Sequence, residues 1–325
     1  MKTQLLDWFE AHLRPLPWRQ TRDPYPIWIS EVMLQQTTVE AVKPYYARFL
    51  KAFPTLTALA DAPVEDVLEQ WAGLGYYSRA RNLHKSAKAI VDAGGFPKTA
   101  AELIQLPGFG PYTSRAVSSQ AFGESVGVLD GNVIRFLCRF HNLAFEWWRT
   151  QEKEILQALA DDWVQGLPAD RQNQALMELG ATICTPTSPS CLLCPVRAEC
   201  EGFQTGVMLD LPLSKPKKQK QIWLWTPERH ETKTDIAIAR QQTAPFLKDQ
   251  WLLPGQFQPA TEKPRQFSYR HSITHHDIFV IDVRQFNYEK PKSTTSWKWI
   301  SKSDFKKYVP VSLADKAFRS NSTYR

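Results

Sequence analysis

The chain has 325 residues, 43% of them hydrophobic and 22% charged, which suits one large or two medium domains with a sizeable core. No apolar run approaches the roughly 18 residues that a membrane helix needs, and the N-terminal MKTQLLDWFEAHLRPLPWR carries charges throughout without a signal-peptide core, so a cytoplasmic protein with no membrane partner is expected. The net charge of +7 is uneven: residues 1–210 hold 19 Lys and Arg against 23 Asp and Glu, whereas residues 211–325 hold 21 against 10, a balance that suits a polyanionic partner as readily as a solubilising surface.

Up to about residue 200, apolar residues recur at helical spacing. They predict helices over 5–13, 27–36, 39–53, 64–71, 79–91, 100–106, 112–122, 133–140, 152–164 and 172–183. Thr99 and Glu102 form a capping-box pattern, Gly94-Gly95 reads as a helix stop, and Pro44 predicts a kink. Residues 211–221, LPLSKPKKQKQ, are basic and proline-bearing and read as an interdomain linker. Strand-like runs follow, QIWLWT, DIAIARQQ, ITHHDIFVIDVRQF and SWKWIS, before a last helix over 313–319. The expected organisation is a mainly α domain over 1–210 and a smaller α+β domain over 222–325.

Three features of the first domain carry chemistry. LPGFGPYT, residues 106–113, joins two helices through Gly108 and Gly110, which open backbone angles closed to other residues and let another backbone come close. Amides at the start of the second helix can then face a phosphate, although such a turn is more often an ordinary helix–helix connection. Cys184, Cys191, Cys194 and Cys200 crowd into 17 residues as C-x6-C-x2-C-x5-C, while Cys138 stands alone. Zinc sites usually pair two short C-x2–4-C units, and only Cys191 and Cys194 make one; a single wrapping loop fits a [4Fe–4S] cluster better. Disulfides are the plain alternative, disfavoured without an export signal. Finally, Glu31 lies among Ile27, Trp28, Leu34 and Gln35, and Asp130 precedes Gly131-Asn132 at a helix start. Glu31 is either on a solvent face or in a dry pocket that raises its pKa. Asp130 reads as an N-cap, where the helix terminus favours its ionised form. One protonated and one ionised carboxyl, with pKa values pushed apart, would make an acid and a charge-stabilising pair.

LPGFGPYT, then the aspartate of VLDGN, then C-x6-C-x2-C-x5-C, resemble the helix-hairpin-helix DNA glycosylases that carry an iron–sulfur loop, over residues 1 to about 203. Within that superfamily WISEVMLQQT and WAGLGYYSRARNLH are similar to adenine DNA glycosylases, the MutY family, which remove adenine mispaired with 8-oxoguanine. The resemblance implies that Glu31 sits in the pocket and protonates adenine N7. It implies that Asp130 stabilises the sugar cation and that Asn132 positions groups beside it. Tyr112 stands where bifunctional relatives resembling endonuclease III keep a lysine; a phenol cannot form the imine that cuts the strand, so base removal alone is implied. Gln36, Thr37, Leu74 and Tyr76 align with residues used around the opposite base, and Leu74 and Tyr76 flank Gly75 in a shape suited to insertion. In the C-terminal part, WLLPGQF is similar to the Nudix-like domain of the same family, without the glutamate cluster that holds Mg²⁺ for hydrolysis. Ile273, Thr274 and His275 match a Phe-Ser-His turn that touches 8-oxoguanine, with the aromatic lost. The implied protein is a monomer acting on double-stranded DNA that carries adenine opposite 8-oxoguanine or guanine. Its rivals are an endonuclease III-like lyase, which Tyr112 disfavours, and a damage sensor without catalysis, which the pair Glu31 and Asp130 disfavours.

Overall fold

The computed structural model describes residues 1–216, 219–290, 296–309 and 312–319. They form two compact units, one of residues 1–62 and 76–216, the other of 63–75 and 217–325. Lys217 and Lys218 of the expected linker fall outside the described residues. No helix among the described residues is long and apolar enough to cross a membrane.

The first unit is helical. It contains α1 (Lys2–Ala11), α2 (Pro24–Leu34), α3 (Val39–Ala52) and α4 (Leu56–Asp61). After α5 (Val64–Trp71), which belongs to the second unit, it continues with α6 (Ser78–Asp92), α7 (Ala100–Leu103), α8 (Pro111–Phe122) and α9 (Gly131–Phe140). It ends with α10 (Thr150–Val164), α11 (Ala169–Thr182) and the single turn α12 (Glu201–Gln204). The predicted helices are present with shifted ends. α2 starts three residues early because Asp23 caps it, its side chain accepting from Tyr25 N at 3.0 Å with Pro24 at the first position. Thr99 and Glu102 form the capping box of α7. α3 runs through Pro44 as one helix.

α2 is buried nearly all round, from Tyr25 to Met33. Trp28 stacks on Phe109 at 5.3 Å, so the phenylalanine between the two hairpin glycines is an anchor driven into the core. Around α9, Val133, Ile134, Phe136, Leu137 and Phe140 recur at helical spacing and pack on Trp163, whose ring meets Phe136 and Phe140 edge-on at 5.2 and 5.4 Å. Each such side chain, fully buried, contributes about 1.5–3 kcal/mol. Cys138 lies in this core, where burial pushes its thiol up to about 11.

The second unit is α+β. Its eight-stranded sheet comprises β1 (Gln221–Glu231), β2 (Asp235–Arg240), β3 (Trp251–Leu252), β4 (Gly255–Ala260), β5 (Tyr269–Ile273), β6 (His276–Val280), β7 (Arg284–Asn287) and β8 (Trp297–Ser301). The long strand β1 organises it. Its first half pairs with β4 antiparallel and β6 parallel; its second half pairs with β7 parallel and β2 antiparallel. α13 (Phe305–Tyr308) and α14 (Ser312–Arg319) close the core, with Phe305 stacked on Phe318 at 4.2 Å. α5 joins this unit through Asp66, which pairs with Lys307 at 3.0 Å.

Candidate active site

The site is a cavity of about 550 Å³ in the helical unit, lined by Glu31, Gln36, Thr37, Tyr112, Asp130 and Asn132 among others. Six residues singled out in the sequence therefore meet there, from α2, the turn after it, α8 and the start of α9. Glu31 points away from solvent because α2 has no solvent face at that turn. Its Oε2 accepts from the Tyr112 hydroxyl at 2.7 Å and its Oε1 from Gln120 Nε2 at 2.8 Å. Burial pushes its carboxyl up, against the pull of those two donors. The Tyr112 hydroxyl also lies 3.4 Å from Met177 Sδ, and burial next to Glu31 and Asp130 drives its pKa well above the ordinary phenol value.

Asp130 caps α9. Its Oδ1 accepts from Val133 N at 2.8 Å and its Oδ2 from Asn132 Nδ2 at 2.9 Å. The expectation that the two carboxyls are pushed apart needs correcting: burial raises Asp130 as well, and the donors at the helix start only oppose that rise. What separates the two is the partners. Glu31 has a phenol and an amide, whereas Asp130 has a helix amide and an asparagine whose Oδ1 is held by Arg135 at 2.9 Å. Arg135 also binds the carbonyls of Gly180 and Cys184 at 2.7 Å each. Gly180 is needed there, since a Cβ on it would lie 2.6 Å from Asn132 Cβ.

Several residues of the site carried no sequence signal. Gln120 sits on a helix of small residues. Glu178, on α11, accepts from Arg14 at 2.9 Å and Arg19 at 2.8 Å at the cavity wall. Burial opposes its ionisation, but the two arginines outweigh that and hold its carboxyl below the usual range. Asn173 binds Val126 O and Val128 N, each at 2.9 Å, and so fixes the run leading to Asp130. Their partners are far away in sequence, so no local pattern betrays them.

The remaining candidates lie elsewhere. Tyr76 is 50% exposed with φ +49°, but Leu74 is buried at 8%, which counts against its insertion between bases. Gly108 has φ +81°, and a Cβ there would meet Asn82 Cβ at 2.6 Å. Gly110 corrects the expectation of an unusual backbone: its φ of −93° and ψ of 176° are ordinary extended values, imposed by the proline that follows. In the second unit Thr274 and His275 form the two-residue turn between β5 and β6, with Thr274 at φ +52°. Neighbouring Asp277 accepts from Arg270 at 2.6 Å, Ser272 at 2.7 Å and Lys220 at 3.2 Å.

All four clustered cysteines line one small apolar cavity with Phe136, Ile183 and Val196, and Arg139 Nη1 lies 3.5 Å from Cys184 Sγ. Among the described residues no three His, Cys, Asp or Glu side chains form a group that could hold a metal ion. A single zinc ion, with Zn–S near 2.3 Å, needs sulfurs only about 3.8 Å apart. Cys184, Cys191, Cys194 and Cys200 are thus brought to one shared space.

Residues 29–165 match a family described as HhH-GPD superfamily base excision DNA repair protein. A solved thermostable thymine-DNA glycosylase superposes with a TM-score of 0.58 at 29% identity, over 63% of this chain and 95% of that one. The adenine DNA glycosylase of Homo sapiens is 45% identical over 211 residues, 62% of this chain and 39% of the relative. That of Buchnera aphidicola subsp. Schizaphis graminum is 30% identical over 315 residues, 90% of this chain and 91% of the relative. The helices and their hairpin thus have the fold of the helix-hairpin-helix base-excision repair class. Within that class, the chain belongs to the adenine DNA glycosylase family. It spans 39–42% of the length of the mammalian relatives it matches.

Proposed function

We propose that this chain is a monofunctional adenine DNA glycosylase: it hydrolyses the N-glycosidic bond of adenine opposite 8-oxoguanine or guanine and leaves the strand intact. The observation that carries this reading is Glu31, a buried carboxyl held by two neutral donors in one cavity with Asp130. A base inside a duplex must be turned out of the stack before its glycosidic bond can be reached. The cavity offers the receiving space. Glu31, its pKa raised by burial, delivers a proton to N7 and makes adenine a better leaving group. As the bond lengthens, positive charge grows on the sugar. Asp130, fed by Val133 N–H and Asn132, supplies the negative charge that stabilises it. Glu178, kept ionised by its arginines, offers an acceptor for the exocyclic amine. Tyr112 donates to Glu31 and cannot form an imine, so no strand cleavage follows.

The DNA partner is engaged by the hairpin at Gly108 and Gly110, whose backbone can approach phosphate, and by Gln36, Thr37 and Tyr76 around the opposite base. Thr274 and His275, on a Nudix-like domain, are assigned to the 8-oxoguanine. Cys184, Cys191, Cys194 and Cys200 fit a [4Fe–4S] cluster, which, with four protein thiolates, supplies loop structure and no open iron position. The protein acts as a monomer in the compartment that holds the DNA.

Excision from duplexes with adenine opposite 8-oxoguanine, guanine and thymine, with and without alkali, tests this. Release opposite 8-oxoguanine and guanine over thymine, with breaks only after alkali, is expected. Cleavage without alkali, or release of pyrimidines, indicates a lyase instead; tight binding with no excision indicates a sensor.

A further inference from the structure

α2 ends without the glycine that commonly closes a helix. Gln35 is its C-cap and Gln36 follows at φ +58°, a left-handed value for a residue with a side chain. The exposed carbonyls are met instead by a side chain from another helix. Nη1 of Arg79, in the first turn of α6, donates to Val32 O at 2.7 Å, Met33 O at 3.1 Å and Gln35 O at 2.6 Å. A cation at the carbonyl end also complements the helix dipole. The guanidinium lies 5.6 Å from the ring of Tyr76, itself left-handed at φ +49° and half exposed. Gln35 Nε2 reaches Thr113 Oγ1 at 3.1 Å, so the same terminus is tied to α8. One guanidinium therefore joins two exposed turns of this unit that carry left-handed side chains, Gln36 and Tyr76.

We propose that Arg79 is a positioning residue for reading the opposite base: it locks the carbonyl end of α2 to the first turn of α6, so that Gln36–Thr37 and Tyr76 enter the duplex at a fixed separation. The proposal rests on the reading that the chain acts on mispaired adenine. It assigns Arg79 no contact with the reacting atoms, which lie with Glu31 one turn earlier. Loss of the clamp should free the two turns from each other more than it disturbs the Glu31 carboxyl, which Tyr112 and Gln120 hold independently.

The test uses the full chain carrying Arg79→Met or Arg79→Lys. Equilibrium binding is measured on duplexes with adenine opposite 8-oxoguanine and opposite thymine, beside single-turnover excision and thermal melting. Arg79→Met should lose roughly tenfold in preference for the 8-oxoguanine duplex, the worth of one charge-assisted hydrogen bond. The rate at saturating enzyme should fall by less. Arg79→Lys keeps three donors but not the planar guanidinium beside Tyr76, and should recover most of the preference. Preference unchanged in Arg79→Met overturns the proposal. So does a saturated rate that falls as far as the preference with no recovery in Arg79→Lys, which marks a merely structural role. If melting shows that Arg79→Met does not fold, Arg79→Lys decides: a preference roughly threefold below wild type supports the clamp, and one equal to wild type overturns it. If wild type releases no adenine, the functional reading fails, while the binding comparison still judges the clamp.

Discussion

Glu31 in the helical unit and Glu231 in the sheet unit are equally hidden, at 4% and 2% exposed, yet they are wired in opposite ways. Glu231 is met by cations, Arg229 at 2.9 Å and Lys302 at 2.8 Å, with Gln285 at 2.6 Å. Asp277 in the same unit has Arg270 and Lys220; burial opposes its ionisation, but the hydrogen bonds from Arg270, Ser272 and Lys220 prevail and hold it down. Glu31 has only a phenol and an amide, and burial wins. A buried carboxylate neutralised by cations is a structural tie. Glu31, left with neutral donors, has its protonated form favoured, whereas Asp130 has a helix N-terminus and the charge of Arg135 beside it. Composition repeats the contrast: the sheet unit has cations to spare, and the helical unit, with 20 Lys and Arg against 20 Asp and Glu, commits Arg14 and Arg19 to Glu178 rather than to Glu31.

The largest test of this contrast is Glu31→Gln, which keeps the shape and removes the proton. Single-turnover excision should fall by roughly 10²–10⁴ while duplex binding survives. The same variant tests the energetics. A carboxyl whose folded pKa is raised costs stability as pH rises from its unfolded value near 4.3 through the folded one. Glu31→Gln should therefore melt above wild type at neutral pH, and the gap should close below about pH 4.

Asp130→Asn should cost roughly 10²–10³ in the excision rate, the usual weight of one group aimed at transition-state charge. Tyr112→Phe removes one donor from Glu31 and should change the rate by about tenfold, with no strand cleavage in either protein. Asp277→Ala is the smallest. It should leave adenine release opposite guanine nearly unchanged and lower stability by about 2 kcal/mol at neutral pH. Its sign with pH is opposite to that of Glu31. A carboxyl held down adds stability above its unfolded pKa of about 3.9, and loses it as pH falls through the lower folded value. The melting gap between wild type and Asp277→Ala should therefore close in acid.

The helical unit was legible where local pattern suffices. Helices of two turns or more announce themselves by period, but α4, with six residues, and α12, with four, are too short to do so. Asp130 could be read as a cap, and the four cysteines as one loop, because each motif is local. Glu31 was ambiguous: a helix buried on every side has no polar face to reveal where a glutamate points. Gln120, Glu178 and Asn173 stayed invisible because their roles arise only when α8 and α11 close on α2 and on the run before α9. In the sheet unit, ITHHDIFVIDVRQF resembles one long strand, but the fold divides it among the end of β5, the β5–β6 turn, β6 and β7. Pairing with the two halves of β1 makes that division, and pairing is a non-local property.

The pH dependence of single-turnover adenine release, opposite 8-oxoguanine and at saturating enzyme, addresses the central claim most directly. If Glu31 supplies the proton from its buried place between two neutral donors, the wild-type rate should fall as pH rises through the raised pKa of that carboxyl. The small residual rate of Glu31→Gln should show no such fall. A wild-type rate with no falling limb as pH rises, or a falling limb that persists unchanged in Glu31→Gln, would contradict the assignment of Glu31 as the acid.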